Sequence, residues 1–465
     1  MSATADSSLG KIIALIAGPA IALGLYALLA TAGHDSGICW TASITGLCAC
    51  WWVTEAIPIP ATAMIPLALL PTVGVLTPAQ TGSAYGSPTI LLVLGGFILS
   101  AALVESRAHY RLAMGLVRLI GGDSSRRLVF GFITAAAVLS MWISNAATSL
   151  MLLPVAVAVL NQSKDPRLPT PLLLGLAYGA NIGGLGTPIG TPANLVFMQV
   201  YTDSSGEEIS FVQWMLWGVP IALVFLPIIG LWLTRKLRHQ GAIELPTVGD
   251  WQPYERRVLW VFVVTAVAWM TRTEPFGGWR EWLGLSGAND ASVALLGAVA
   301  LFLIPNGRGG RLLDWDAASR IPWGILILLG SGFAIASAFA QSGLSEVLGS
   351  QLAGFTALPT LAMIATFCLV VTFMTELTSN TATTALLMPV LAGAALAADI
   401  DLLVMMLPAA LSASCAFMLP TATTPNGVAF STGHFSIRTM AREGLVINLL
   451  GVAVVSLGCF WLVAR

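Results

Sequence analysis

The chain has 465 residues, 57% of them hydrophobic and 9% charged, with a net charge of −1 and a mean hydropathy of +0.85. That composition excludes an ordinary soluble core and points to an integral membrane protein. No basic run with interleaved aromatics is present, which excludes nucleic acid as a partner. Apolar windows of about 20 residues predict eleven spans in chain order, near 11–31, 40–56, 58–76, 88–104, 172–200, 214–234, 256–271, 291–305, 322–340, 403–432 and 444–463. Ala30-Thr31-Ala32 gives the first a small-x-small end, but its apolar run is long for a signal peptide, and it is read as a span. Two further apolar blocks, 128–160 and 359–397, are too long for one crossing and carry a polar cluster at mid-length. Each is read as a re-entrant hairpin of two half-helices.

The loop charges give an orientation. With the N-terminus cytoplasmic and the C-terminus outside, 18 of the 21 basic residues lie on the cytoplasmic side, the exceptions being Arg272, Arg280 and Arg465. A single crossing at either long block would move every later loop to the other side and erase this bias, so the charges also support the hairpins. The expected location is a bacterial inner (plasma) membrane. Cys39, Cys48, Cys50, Cys368, Cys415 and Cys459 form no C-x-x-C pair and read as packing residues.

The chain repeats itself. Ser140–Pro154 set on Thr375–Pro389, an offset of 235, gives six identities in fifteen positions, among them Ser-Asn, Ala-Thr and the closing proline. Gly96–Ser106 pairs with Gly332–Ser342 at offset 236, and Gly190–Phe197 with Ala422–Ala429 at offset 232, matching Thr191 to Thr423 and Asn194 to Asn426. Both halves therefore run span, hairpin, broken span, and the loop charges make one half enter the membrane opposite to the other. An inverted-topology repeat is a transporter design, with the site where discontinuous helices meet at mid-membrane. The breaks are predicted at Gly186–Pro192 and Pro420–Pro425, where proline and glycine free backbone groups that only protein or a water-filled cavity can satisfy.

Four segments converge in this reading: Ser144-Asn145-Ala146-Ala147-Thr148 and Ser379-Asn380-Thr381-Ala382-Thr383 at the tips, and Thr191 and Thr423 in the breaks. Hydroxyls and carboxamides donate to anions and offer oxygens to hard cations. No Lys, Arg or His occurs within 128–160, 171–200, 372–390 or 403–433, so the charge of an anionic substrate must be met by helix dipoles, neutral donors and co-bound cations. The competing reading of such residues is interhelical packing, which the paired occurrence of the motifs argues against.

Trp52–Ala63 (WVTEAIPIPATA), two tips with Ser-Asn-Thr-like triplets and two Thr-Pro-type breaks together resemble the divalent anion/sodium symporter family, over essentially the whole chain. The resemblance implies an all-α membrane fold of eleven transmembrane helices and two re-entrant hairpins. It implies a homodimer in lipid, with scaffold parts at 1–127 and 241–358 and transport parts at 128–240 and 359–465 that move by an elevator motion. The implied activity is sodium-coupled symport of succinate, malate or fumarate, with sodium as the co-transported ion and no organic cofactor. One sodium site would fall on Ser140, Ser144, Asn145 and the backbone at Gly190; the other on Thr375, Ser379, Asn380 and the backbone at Ala422. The substrate would lie between Ser144, Asn145 and Thr191 on one side and Asn380, Thr381, Thr423 and Thr424 on the other. Two departures touch this region: Ala146 stands where the family pattern has threonine, and Thr424 where it has proline.

Glu55 and Glu376 are the acidic residues expected inside the membrane; both read as structural, with cation or proton coupling the alternative for Glu376. An enzyme reading lacks parts: there is no G-x-x-x-x-G-K-[ST], no metal-ligand cluster, and His34, His109, His239 and His434 lie in loops or at span ends. A channel would use similar breaks, but inverted hairpins favour alternating access. Within transporters, a sodium-independent dicarboxylate exchanger and a sulfate, oxyanion or citrate carrier remain the other readings.

Overall fold

The computed structural model describes residues 2–121, 124–163, 165–237, 245, 249–274, 276–352 and 358–463. Lys164, Arg238, His239 and Arg465, used above in counting loop charges and histidines, lie outside the described residues. Among the described residues every regular element is helical, apart from a lone bridge between Pro305 and Arg311. Among the described residues eight helices are long and apolar enough to cross a membrane, as expected where backbone polar groups must be satisfied within their own segment.

Helix α1 (Ser2–Thr31) packs antiparallel to α2 (Ser36–Thr54): Trp51 Nε1 donates to the Ala14 carbonyl at 3.1 Å and Ser43 Oγ to that of Ala22 at 2.8 Å. Glu55 then takes a left-handed φ of 47° and turns the chain into a proline-rich corner. The span predicted at 58–76 is two short pieces, α3 (Ile59–Thr62) and α4 (Met64–Thr72). Prolines 58, 60, 66 and 71 withhold amide donors there, and at 1.5 Å per residue the pair reaches only about 20 Å. Next come α5 (Pro78–Tyr85), α6 (Pro88–Glu105) and α7 (Ala108–Gly121). Helix α7 lies between the predicted span 88–104 and the block 128–160, where no element was predicted; it is amphipathic, and Arg111 pairs with the buried Glu255.

The first long apolar block is two helices, α8 (Ser125–Ser140) and α9 (Asn145–Gln162), meeting at Met141–Ser144. Then α10 (Pro169–Gly183) breaks into two 3-10 turns, Gly184–Gly186 and Pro188–Gly190, before α11 (Pro192–Ser205). Gly175, Gly179 and Gly183 form a small-residue stripe on α10 that admits α8; a Cβ at Gly183 would sit 2.2 Å from the Ala137 carbonyl oxygen. The tip and the first break are thus held side by side.

After α12 (Phe211–Thr234), the second half runs through α13 (Pro253–Met270), α14 (Gly278–Trp282), α15 (Asp290–Leu303), α16 (Trp315–Ala318), α17 (Trp323–Ser342) and α18 (Leu344–Leu352). Arg272, an exception to the charge bias, is 1% exposed and paired with Asp290 at 2.6 Å and Glu208 at 2.7 Å. The second long block is α19 (Thr360–Thr375) and α20 (Asn380–Ala397). Then α21 (Leu402–Ser412) ends at Ala413, seven residues before the predicted break, and the chain stays non-helical to α22 (Thr424–Phe430). The last helix is α23 (Ile437–Val463).

Candidate functional site

One cavity of about 710 Å3 lies where both tips and both breaks meet. Ser144, Asn145 and Ala146 line it from the first tip, and Ser379, Asn380 and Thr381 from the second. Gly190 and Thr191 face it from the first break, and Ala422, Thr423 and Thr424 from the second. Ser140 and Thr375 do not reach the cavity but stand directly behind it, fully buried. The opposite wall is largely apolar, with Trp52, Ile59, Pro60, Pro322, Ile325 and Leu328, and Glu55 as its carboxylate. Among the described residues no Lys, Arg or His lines the cavity.

Each polar segment opens a helix. Ser144 caps α9, its Oγ accepting from Ala147 N at 3.3 Å; Thr423 caps α22, its Oγ1 accepting from Asn426 N at 3.3 Å. Thr191 and Ser379 occupy the same position on α11 and α20 without making a side-chain cap bond. Serine and threonine favour this place because their oxygens satisfy first-turn amides that have no helical partner. Four helix starts, three of them on helices of 14 or more residues, therefore aim positive dipole ends at one space.

Oxygen atoms crowd behind the tips. Ser140 Oγ donates to Asn145 Oδ1 at 2.5 Å. Thr375 Oγ1 lies 2.8 Å from Asn380 Oδ1 and 2.9 Å from the Ala413 carbonyl oxygen. A hydroxyl has one hydrogen, so Thr375 satisfies one of those acceptors at a time. A surplus of oxygens over protons is what a hard cation completes. The backbone oxygen beside Thr375 belongs to Ala413, while Ala422 faces the cavity. In the first half Gly184 fits between the Asn145 carboxamide and the Gly190 carbonyl, where its missing Cβ would lie 2.9 Å and 3.2 Å from them. Because each Oδ1 is turned to its neighbouring hydroxyl, the Nδ2 groups of Asn145 and Asn380 are left for the cavity.

Buried asparagines brace the breaks alike. Asn194 Nδ2 donates to the carbonyls of Gly184 and Thr187 at 2.9 and 2.8 Å; Asn426 Nδ2 donates to those of Ala416 and Leu419 at 3.0 and 3.1 Å. The acceptors lie ten and seven residues upstream in both cases. At offset 236, Ser106 Oγ and Ser342 Oγ each donate three residues back and accept from the amide two residues on. Between them and those amides, Arg107 and Gly343 take φ of 59° and 79°.

Three residues escaped sequence reading. Tyr178 OH donates to the Phe417 carbonyl at 2.7 Å, and Asn181 Nδ2 to Thr423 Oγ1 at 3.1 Å and Asn426 Oδ1 at 3.3 Å, so α10 of the first half grips the second break. Their polarity within an otherwise apolar helix was the available signal. The third is Asn448 of α23, which donates to Glu376 Oε1 at 2.8 Å. Glu376 Oε1 also accepts from Phe417 N and Met418 N, and Oε2 from Leu419 N, at 2.6 to 3.0 Å. Four donors from the second break and α23, three on Oε1 and one on Oε2, favour the hydrogen-bonding role over cation coupling.

A family model described as a citrate transporter matches residues 49–410. Sodium-dependent dicarboxylate transporters SdcS of Staphylococcus saprophyticus and Staphylococcus aureus are 36% identical to this chain over 98% of its length, covering 92% and 91% of their own. Among solved structures, the YdaH transporter of Alcanivorax borkumensis aligns with a TM-score of 0.59 at 16% identity, covering 84% of this chain and 88% of that one. MtrF of Neisseria gonorrhoeae, from a class of antimetabolite efflux pumps, aligns with a TM-score of 0.58 at 15% identity over 82% and 83%. These two show a shared fold.

Proposed function

The chain belongs to the divalent anion/sodium symporter family, and from that premise we propose that the cavity between the tips and the breaks carries a four-carbon dicarboxylate across the membrane. The protein is a transporter, not an enzyme, and sodium is the co-transported ion. The observation that carries the assignment to this cavity is the convergence of four helix starts on a space whose described walls hold no cationic side chain.

A dianion there meets dipole ends and neutral donors, which alone leave its charge under-compensated. Sodium at Ser140, Ser144, Asn145 and the Gly190 backbone, and at Thr375, Ser379, Asn380 and the backbone reached through Ala413 and Ala422, supplies the missing charge. Each asparagine then serves both ions, Oδ1 toward sodium and Nδ2 toward a carboxylate held with Thr191 on one side and with Thr381, Thr423 and Thr424 on the other. Coupling follows, because neither ion is well bound without the other.

The proposed topology is eleven spans with α8–α9 and α19–α20 as re-entrant hairpins, the N-terminus cytoplasmic and the C-terminus outside. The matching hydrogen bonds of Asn194 and Asn426, and of Ser106 and Ser342, support an inverted repeat. The apolar wall from the 1–127 and 241–358 parts, against the polar wall from 128–240 and 359–465, supports scaffold and transport bodies that slide in an elevator motion within a homodimer. Uptake of succinate into proteoliposomes tests the site. It should require a sodium gradient, and Asn145→Ala and Asn380→Ala should each reduce it at least ten-fold, since a hydrogen bond to a charged group contributes about 1.5–3 kcal/mol. Full uptake in choline buffer, or parental rates in either folded variant, sinks the assignment.

A further inference from the structure

Away from the cavity, α13 and α15 leave a groove of about 580 Å3 between them, walled by Trp260, Val264 and Ala268 on α13, by Leu296 and Ala300 on α15, and by Ile304 just past its end. The four-residue spacings put the residues of each helix on one face. The groove is open: Trp260 is 68% and Leu296 70% exposed. Its hydroxyl, Thr265, donates to the Val261 carbonyl at 2.8 Å, which leaves the Arg257 guanidinium as the charged group on the wall.

That guanidinium marks one end. Arg257 Nη1 donates to the Pro305 carbonyl at 2.5 Å and so joins the start of α13 to the turn after α15. The two carry Arg256, Arg257, Arg308 and Arg311, and Arg308 lies over the Tyr254 ring at 4.2 Å. None of the four takes part in an ion pair among the described residues. At the far end stands Trp279, its Nε1 on the Ala268 carbonyl at 2.8 Å. Along α13 the distance from Arg257 to Ala268 is about 16 Å, close to one leaflet of a hydrocarbon core of about 30 Å.

We infer that this groove seats one acyl chain of an anionic phospholipid from the leaflet on the arginine side, with the phosphate among Arg256, Arg257 and Arg308. The apolar length fits a tail, Trp260 one turn from Arg257 suits the membrane boundary at the arginine end, and arginines with no ion pair among the described residues suit a phosphate. A second copy seated about a two-fold axis through the groove would instead set these arginines against their own copies.

Native mass spectrometry of the full chain in detergent, with phosphatidylglycerol and phosphatidylcholine of identical tails, tests the inference. The parent should retain one phosphatidylglycerol per chain in preference to phosphatidylcholine. Arg256→Gln and Arg308→Gln should each lower that retention about five-fold, the effect of one arginine at a membrane surface. Ala300→Phe, which fills the groove, should abolish it, with Val264→Trp as a second filler should the first fail to fold. Equal retention of both lipids, retention unchanged in a filled groove, or displacement by inorganic phosphate alone would overturn the inference. So would conversion of a dimer to monomers by the filled-groove variants, which would give the face to a second copy.

Discussion

Replacing Thr375 with valine isolates one oxygen of the second proposed sodium site. Thr375 is fully buried, and valine keeps its shape, so no cavity forms and the change is confined to the hydroxyl. That hydroxyl is shared between Asn380 Oδ1 at 2.8 Å and the Ala413 carbonyl at 2.9 Å. Without it, two acceptors face each other with no donor, which costs the sodium-free protein about 1–3 kcal/mol. The ion loses one ligand, about 1.5–3 kcal/mol for an interaction with a charged group; whatever part of the sodium-free cost the ion relieves offsets this, so affinity falls by at most about 10- to 150-fold. Linkage then raises the succinate KM by a similar factor at limiting sodium, while saturating sodium restores the maximal rate. The assay is initial uptake into proteoliposomes across a sodium titration, with melting in detergent as the folding control. Thr375→Ser, which keeps the oxygen, should stay near the parent, and Ser140→Ala should show the matching defect at the first site. A folded Thr375→Val protein whose sodium half-saturation lies within two-fold of the parent would refute the reasoning.

The parent's uptake should rise sigmoidally with sodium, and lithium should replace it poorly; a hyperbolic curve identical in both salts would count against two sodium-selective sites. Ala146→Thr adds a hydroxyl to the cavity wall and Thr424→Pro removes one. Each should change the ranking of succinate against malate in competition assays by at most the worth of one hydrogen bond to a charged group, about 1.5–3 kcal/mol. Profiles that overlay the parent would mean that neither position meets substrate. Gly183→Val forces side-chain atoms onto the Ala137 carbonyl, where even a Cβ would lie 2.2 Å away. Overpacking of this kind costs about 1–3 kcal/mol, and the melting temperature should fall accordingly.

The tips were legible because two independent signals coincide there. Ser144 and Ser379 are helix-capping residues in mid-block, and the block containing each recurs at a fixed offset. The first break was legible from Gly186-Thr187-Pro188-Ile189-Gly190-Thr191-Pro192, which no continuous helix accommodates. The second break was placed too late, because Ala413–Leu419 contains no residue that forbids helix. The helix ends there because Glu376, some forty residues away, accepts the amides that would continue it. Nothing local encodes that contact. Helix α7 escaped for a related reason: it is too polar to appear as an apolar window, and what holds it is a packed apolar face and the distant Glu255.

The same contact explains why the two halves are not interchangeable. Offset 235 sets Glu376 on Met141, and offset 232 sets Phe417–Leu419 on Leu185–Thr187. In the first half Met141 packs against Gly186 and its carbonyl accepts from Thr187 Oγ1, while the break closes into two 3-10 turns. In the second half the amides at 417–419 have no such turns, so the carboxylate of the neighbouring tip must hold them, with Asn448 of α23 as its fourth donor. Tip and break are therefore tied by packing in one half and by a carboxylate in the other. Glu376→Gln keeps the size of the side chain but turns one acceptor into a donor, and leaves buried N–H groups unpaired at about 1–3 kcal/mol. The Ala413 carbonyl, which lies at the start of the released segment, should lose its place beside Thr375. Sodium half-saturation should then rise as in Thr375→Val, and the double variant should be little worse than either single one, because both remove the same site. Additive losses in that double-variant cycle would show that Glu376 acts elsewhere.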